Sequence, residues 1–449
     1  MAYDPLHSPG PGTGEAHPSS LWAATAGREP TDDGPLQGDL ETDVAIIGAG
    51  YTGLTSAYFL ARDHGIRPVV LEANRTGWGA SGRNAGFVLR SVGRLGSAAM
   101  IRRWGEETAL RVSREFHQGI ETVRSLIDAG QIECERTGDG FLKIAHRPDL
   151  MVGLEKQARL LQEKFHYPVE VLDEATVKRE HVASQEACGA LRFPDGFGVN
   201  PLKLAHGIHR MARDAGATIH PSSPVTSWRE EEGWHLLDTP GGTVRARRVI
   251  SATNAHTPQN FHRLIHNRTL PVLTCLIVTR PLSEDEIQAS GLWTREGVMD
   301  TRLLKYYYRR LPDNRVLIGG RGAIRGKDAE LPIFRQRLLE ALQRSFPALQ
   351  GISYDHAWGG WITISLDDVP RVHAADKAGT VLYAMGYCGN GLAFSMQAGR
   401  RLAEKVAGIT EGHDLPVLST PLMRFPFPWF KRVGQFAYYQ YGRVRDAWR

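Results

Sequence analysis

Cysteine is scarce: Cys134, Cys188, Cys275 and Cys388 are the only four in 449 residues, and they stand far apart. No C-x-x-C and no Cys/His ligand spacing occurs, which argues against a zinc site or a disulfide framework and fits a reducing compartment. Runs of like charge are missing as well. The net charge of +5 and pI of about 9.0 come from scattered Lys and Arg, so nucleic-acid binding is not expected. What remains is a modest bias toward anionic ligands. The longest apolar stretch, Val44 to Ala61, is broken by glycines at motif spacing and is not read as a membrane span. The opening MAYDPLHSPGPG lacks a basic segment followed by an apolar one, so a cytoplasmic location is expected. Glycine, by contrast, is plentiful, with 48 residues and no repeat. That points to tight turns and close backbone approaches of the kind cofactor enzymes need.

The fold class read from the pattern is mixed α/β. Residues 1–37 are rich in Pro, Gly, Ser and Thr and read as an extended, partly disordered arm. A strand at 42–47, a glycine motif, a helix to about Asp63 and a strand at 68–72 make a β-α-β unit. Residues 91–189 read as mostly helical. Asn200 then caps a helix that has Pro201 in its first position. Short strands follow between 218 and 252, an antiparallel sheet over 271–322 with a turn at Pro312-Asp313-Asn314, and a closing strand-to-helix unit over 380–405. The expected organisation is a Rossmann-like nucleotide-binding domain from 38–90, 190–260 and 352–410, with a substrate domain from 91–189 and 261–351. An aromatic and basic tail covers 411–449.

The G-x-G-x-x-G at Gly48, Gly50 and Gly53 follows a strand and opens a helix, and Glu72 ends the second strand about 20 residues on. Gly48 permits the turn, Gly50 lets a pyrophosphate reach the backbone, and Gly53 lets helix and strand pack. The helix N-terminus favours the phosphates, and Glu72 is placed to accept from a ribose. A second glycine-rich loop, GWGASGRNAGF from Gly77 to Phe87, follows closely. A nicotinamide dinucleotide does not usually need it, whereas a flavin dinucleotide does; Arg83 and Asn84 are candidate donors.

Three segments, VAIIGAGYTGLTSAYFLA, VVLEANRTGWGASGRNAG and YAMGYCGNGLAFSMQAGRRLAEKVAG, resemble the D-amino-acid-oxidase-like superfamily of FAD-dependent amine oxidoreductases, in its gamma-glutamylputrescine oxidase branch. The resemblance spans roughly half the chain and thins over the substrate domain. It implies FAD-dependent oxidation of a carbon–nitrogen bond in a small amine. Oxygen is the expected electron acceptor, a quinone or protein acceptor the alternative. Carried over, the cofactor contacts are Gly48, Gly50, Tyr51, Thr52, Gly53, Glu72, Ala73, Ser81, Gly82, Arg83 and Asn84. To these are added Val225, Thr253 and Asn254, and Gly386, Gly389, Asn390, Gly391 and Leu392 at the last helix start. That helix N-terminus would face the flavin pyrimidine ring, favouring the anionic reduced form. Some related sarcosine oxidases attach FAD through a cysteine shortly before the last strand. No cysteine stands at 356–363 here, so non-covalent FAD is expected.

The substrate side is less legible. Lys305, within Lys305-Tyr306-Tyr307-Tyr308-Arg309, is either a cation near the flavin that assists oxygen or an ordinary solvent-facing lysine. Tyr306 and Tyr308 are taken as facing the substrate. Trp358, Trp361 and His356 are candidate pocket walls, and the arginines at 302–310 candidate carboxylate holders. The tail from Pro426, with Trp, Phe and Tyr among Lys and Arg, suits a membrane interface, but a strap over the enzyme's own surface is preferred. No metal site is expected, and the oligomeric state is left open.

Overall fold

Strand Leu40–Ile47 is a run of small and β-branched residues, with Val44, Ala45 and Ile46 fully buried. Burial on both faces is the signature of a central parallel strand, and in the computed structural model it occupies that place. The structure describes residues 3–258 and 260–447; the ends of the expected arm and tail, 1–2 and 448–449, lie outside the described residues. In the first sheet Leu40–Ile47 lies between Val69–Leu71 and Gly242–Ser251, both parallel to it. Thr218–His220 and Val381–Met385 extend the parallel order outward, and Arg371–Ala374 adds an antiparallel edge.

Two helices rest on this sheet with their N-termini at its carboxyl ends. Tyr51–His64 is buried from Tyr51 to Ala61, ends at Gly65 in the left-handed region, and packs against Leu392–Val406. Gly399 makes that packing possible, since a Cβ there would stand 2.0 Å from Thr55 Oγ1 and 2.8 Å from the Thr52 carbonyl. Glu106–Ala129 crosses the second helix, with Phe116 stacked on Phe394 at 4.0 Å and buried Glu115 accepting from Gln397 and Arg401. Pro201–Asp214 begins as expected, with the Asn200 side chain accepting from the Lys203 N–H.

The second sheet is almost entirely antiparallel, the one parallel pairing among the described residues joining Gly297–Asp300 to Thr137–Ile144. Three of its strands were assigned from sequence to the nucleotide-binding domain. Phe87–Val88 and Ala190–Gly198 pair with each other, and Tyr354–Ile364 pairs along Leu270–Thr279. The expected boundaries thus cut across this sheet, because short apolar runs do not reveal which sheet they join. The 91–189 stretch also holds strands Thr137–Ile144 and Glu170–Leu172 besides its helices. Gly138 and Gly140, at φ +63° and +136°, disguise the first as loop, and the pairing register shifts around them.

Over its described residues, 3–37, the arm packs onto the folded body instead of extending from it. Leu21–Thr25 is a short helix capped by Ser20, Trp22 packs edge-on to Trp358 at 5.9 Å, and Leu36 joins the core beside Trp228 and Val244. Near its start, Asp4 accepts from the Gly326 N–H and pairs with Arg432 of the tail at 2.6 Å. Pro, Gly and Ser composition weakens regular structure, but tertiary burial of a few large side chains overrides it.

Candidate active site

A cavity of about 610 Å³ lies between the sheets, within the range of small-molecule and cofactor sites. One part of its wall is the first glycine turn. Gly48 sits at φ +107° with the Ala252 carbonyl 3.2 Å from where a Cβ would be, so it is needed both for the turn and for the close approach. Gly50 caps the Tyr51–His64 helix with no side-chain cap, and Gly391 does the same for Leu392–Val406. Two helix starts without a capping side chain at the N-cap position thus turn the positive ends of their dipoles to one cavity, with Tyr51 N donating to Ser81 Oγ. Glu72 completes this region. Its carboxylate accepts from Ala49 N at 2.7 Å and Asn74 N at 2.9 Å, and burial pushes its pKa up.

Most expected cofactor positions line the cavity: Gly48, Gly50, Tyr51, Thr52, Glu72, Ala73, Ser81, Asn84, Val225, Thr253, Asn254, Gly389, Asn390, Gly391 and Leu392. Several spend their side chains on the wall itself. Ser81 Oγ accepts from Tyr51 N, and Thr52 and Tyr387 share a 2.7 Å hydroxyl contact. Asn254 Oδ1 accepts from Thr363 and Gly386 N, and Asn390 donates to the Gly93 carbonyl. Asn84, read as a donor to the cofactor, instead donates to the Ala80 and Ser81 carbonyls and accepts from Gly86 N.

Gly53, Gly82 and Gly386 are not on the wall but make it possible. A Cβ at Gly53 would lie 1.9 Å from the Gly48 carbonyl, and one at Gly82 2.5 Å from that of Gly77. Gly386 holds φ +83°, and Cys388 and Gly389 beside it are also left-handed. Cys388 tolerates that strain because its thiol bonds the Gly386 carbonyl at 3.0 Å and meets Ser365 Oγ at 3.3 Å. Burial pushes its pKa up to about 11, so it offers no thiolate to the cavity.

Arg83 departs from expectation. Its guanidinium stacks on Trp78 at 4.2 Å from the ring centroid and donates to the Trp78 carbonyl, away from the cavity wall. The aromatic assignments shift too. Tyr306 and Tyr308 pack into the core on the far face of the second sheet, with Tyr308 against Phe346. Tyr307 lines the cavity instead, its ring over Gly319, where a Cβ would lie 2.3 Å away. Trp358 is buried against Trp22 and donates to the Arg83 carbonyl, and Trp361 belongs to a separate cluster with Leu273 and Ala323. Neither lines the cavity, nor does His356. Of the expected carboxylate holders, Arg302 is paired with Asp300 and Glu186, and Arg309 and Arg310 are bonded to carbonyls.

Lys305 does face the cavity. More than a third of its surface stays accessible. The surrounding protein, followed by the charges of Lys143, Arg94 and Arg321, lowers its pKa to about 8. Arg94 and Arg321, neither of which sequence reasoning selected, share the wall with it. Arg94 donates to the Tyr438 hydroxyl at 2.6 Å, whereas Lys305 and Arg321 make no hydrogen bond or ion pair among the described residues. The wall also includes arm residues Pro9–Thr13 and His256, whose pKa burial lowers to about 3.

The glycine turns, the twin helix starts and the ribose-side carboxylate fit a dinucleotide, and comparison with known proteins says which. A family described as "FAD dependent oxidoreductase" matches residues 43–405. The chain belongs to that family. It is 34% identical over 413 residues to the gamma-glutamylputrescine oxidoreductase of Escherichia coli K12, covering 92% of this chain and 93% of that one. It is 24% identical to the glycine oxidase of Bacillus licheniformis over 82% of this chain and 93% of the other. In structure it resembles the glycine oxidase of Geobacillus kaustophilus, with a TM-score of 0.71 at 20% identity, over 86% of this chain and 99% of that one. It is thus an FAD-dependent oxidoreductase with a Rossmann-like FAD domain.

Proposed function

We propose that this flavoenzyme oxidises a primary or secondary amine that carries a carboxylate elsewhere in the molecule, with oxygen as the electron acceptor. The observation that carries the reading is the charge of the cavity wall. Arg94, Lys305 and Arg321 line it, and among the described residues Glu72 is its sole carboxylate. Arg94 is paired with Asp368 at 3.8 Å, so a bare diamine would bring its two positive charges to the two unpaired cations Lys305 and Arg321. An amine with a carboxylate satisfies the cations, and Arg321 is free to grip it with its planar fork. The same cluster that lowers the Lys305 pKa favours the neutral form of a substrate amine, the form that can give up a hydride. The similarity to gamma-glutamylputrescine oxidoreductase supports a glutamylated amine as the leading member of this class.

Bound non-covalently, FAD supplies the hydride acceptor. The contacts along the glycine turns hold it, Tyr307 and Met299 help exclude water, and Lys305 places positive charge where oxygen is reduced. For a primary amine the balance is R-CH2-NH2 plus O2 plus H2O giving the aldehyde, ammonia and H2O2. The test is an amine panel with and without carboxylates, read by anaerobic flavin bleaching and aerobic peroxide. Bleaching by glutamylated amines with peroxide in air is expected. Bleaching without peroxide refutes the oxygen assignment. Failure of every amine to bleach, or a preference for bare diamines, refutes the substrate reading. Acid precipitation should release the yellow colour; colour retained in the pellet refutes non-covalent binding.

A further inference from the structure

The C-terminal helix Lys431–Ala447 has a buried, largely hydrogen-bonded face and an opposite apolar face with no partner among the described residues. Lys431, Gln435, Tyr439 and Gly442 form the buried stripe, spaced by three and four residues. It is pinned by Arg432 to Asp4, by Lys431 to the Thr269 carbonyl, and by Asp446 accepting from Leu303 N and Leu304 N. Val433, Phe436, Tyr441 and Val444 point the other way and are more than half exposed. They continue into Phe427, Trp429 and Phe430 just before the helix, with Trp429 78% exposed. Contiguous exposure of this kind marks an interaction surface. Arg424, Arg443 and Arg445 are exposed on the same segment, and Asp446, held inward by Leu303 and Leu304, is its one acid between residues 421 and 447.

We propose that this face docks on an anionic lipid bilayer, with the helix lying in the interface. Aromatic side chains flanked by arginines match the acyl–headgroup boundary, and the positive rim matches anionic headgroups. A second copy of the chain is the poorer partner, because a two-fold contact would set one arginine rim against the other. No helix among the described residues is long and apolar enough to cross a membrane, so the attachment is peripheral. Docking has a consequence for the active site. Phe427, Phe430 and Tyr438 wall a second, mostly apolar cavity of about 350 Å³, and Arg94 and Arg321 line both it and the active-site cavity. The docked face thus borders an approach to the active site.

The test is co-sedimentation of the flavin-loaded enzyme with phosphatidylcholine vesicles, with and without phosphatidylglycerol. The triple variant Trp429→Ser/Phe436→Ser/Val444→Ser and the double variant Arg443→Glu/Arg445→Glu are run alongside. All five positions are exposed and outside both cavities, so flavin content should match the parent and verify folding. The expected result is binding that requires phosphatidylglycerol, weakens with salt, and falls at least tenfold in both variants. Absence of parent binding to phosphatidylglycerol vesicles overturns the proposal, as does equal binding by parent and variants. So does a parent dimer in sedimentation equilibrium that the triple variant abolishes, which would assign the face to a second copy. None of these readouts depends on which amine is oxidised.

Discussion

Replacing Arg309 with Met should unfasten the second sheet from the flavin loop without touching the substrate. Arg309 is 2% exposed and makes no ion pair among the described residues. It donates to the Ala85 carbonyl at 3.1 Å, the Val199 carbonyl at 2.6 Å and Thr137 Oγ1 at 3.3 Å. Gly86 and Gly198 make room for the fork, since a Cβ at either would stand 2.5 Å or 2.1 Å from its nitrogens. Met fills the aliphatic volume but leaves both carbonyls unpaired, each at about 1–3 kcal/mol. The Thr137 hydroxyl can rotate to another acceptor. Removing a buried, unpaired guanidinium recovers part of the loss, because its desolvation no longer has to be offset. The expected net destabilisation is about 2–4 kcal/mol, enough to shift a denaturation midpoint clearly. Urea unfolding of the flavin-loaded enzyme, followed by circular dichroism and flavin fluorescence, should show weakened flavin retention, since Ala85 ends the loop that carries Ser81 and Asn84. Gly198→Ala should mimic the effect by displacing the guanidinium. Unchanged stability in Arg309→Met, coupled with a raised KM for the amine, would refute this account and return Arg309 to the substrate site.

Gly50→Val should yield protein without the flavin band at about 450 nm, because the side chain occupies the pyrophosphate approach and presses on Ser81 Oγ, 2.9 Å from a Cβ. Lys305→Met should leave anaerobic reduction by the amine nearly unchanged and slow reoxidation by oxygen at least tenfold, about 1.4 kcal/mol of transition-state stabilisation; stopped-flow absorbance separates the two half-reactions. The lowered Lys305 pKa of about 8 means its charge is present below that pH and lost above it. Affinity for an anionic competitive inhibitor should therefore fall as pH rises through about 8 in the parent and not in Lys305→Met. Arg321→Ala should raise KM about tenfold or more for carboxylate-bearing amines, an ion-paired contact being worth about 1.5–3 kcal/mol, and leave amines without a carboxylate unaffected.

The local chemistry of the FAD domain could be read from the chain because it depends on short-range backbone geometry. Gly48 must turn, Gly53 must let a helix touch a strand, and Asn200 and Pro201 must start a helix, whatever else the molecule does. Strand alternation by itself did not say which of Tyr306, Tyr307 and Tyr308 faces the cavity. A one-residue choice reverses the face, and with Gly319 beside Tyr307 and Gly320 beside Tyr306 the neighbouring strand does not make that choice from sequence either. The arginines show the same division. Sequence named a cluster at 302–310, whose members are consumed by Glu186, Asp300 and buried carbonyls. The cations on the cavity wall beside Lys305 come from Arg94 and Arg321, 227 residues apart in numbering (321 − 94). What the sequence determined by itself was the cofactor turn, written in contiguous residues whose dihedral angles have few solutions. Only the tertiary structure decided the charge of the cavity wall, the burial of the arm and the exposed face of the tail, because each depends on which distant segments share a neighbourhood.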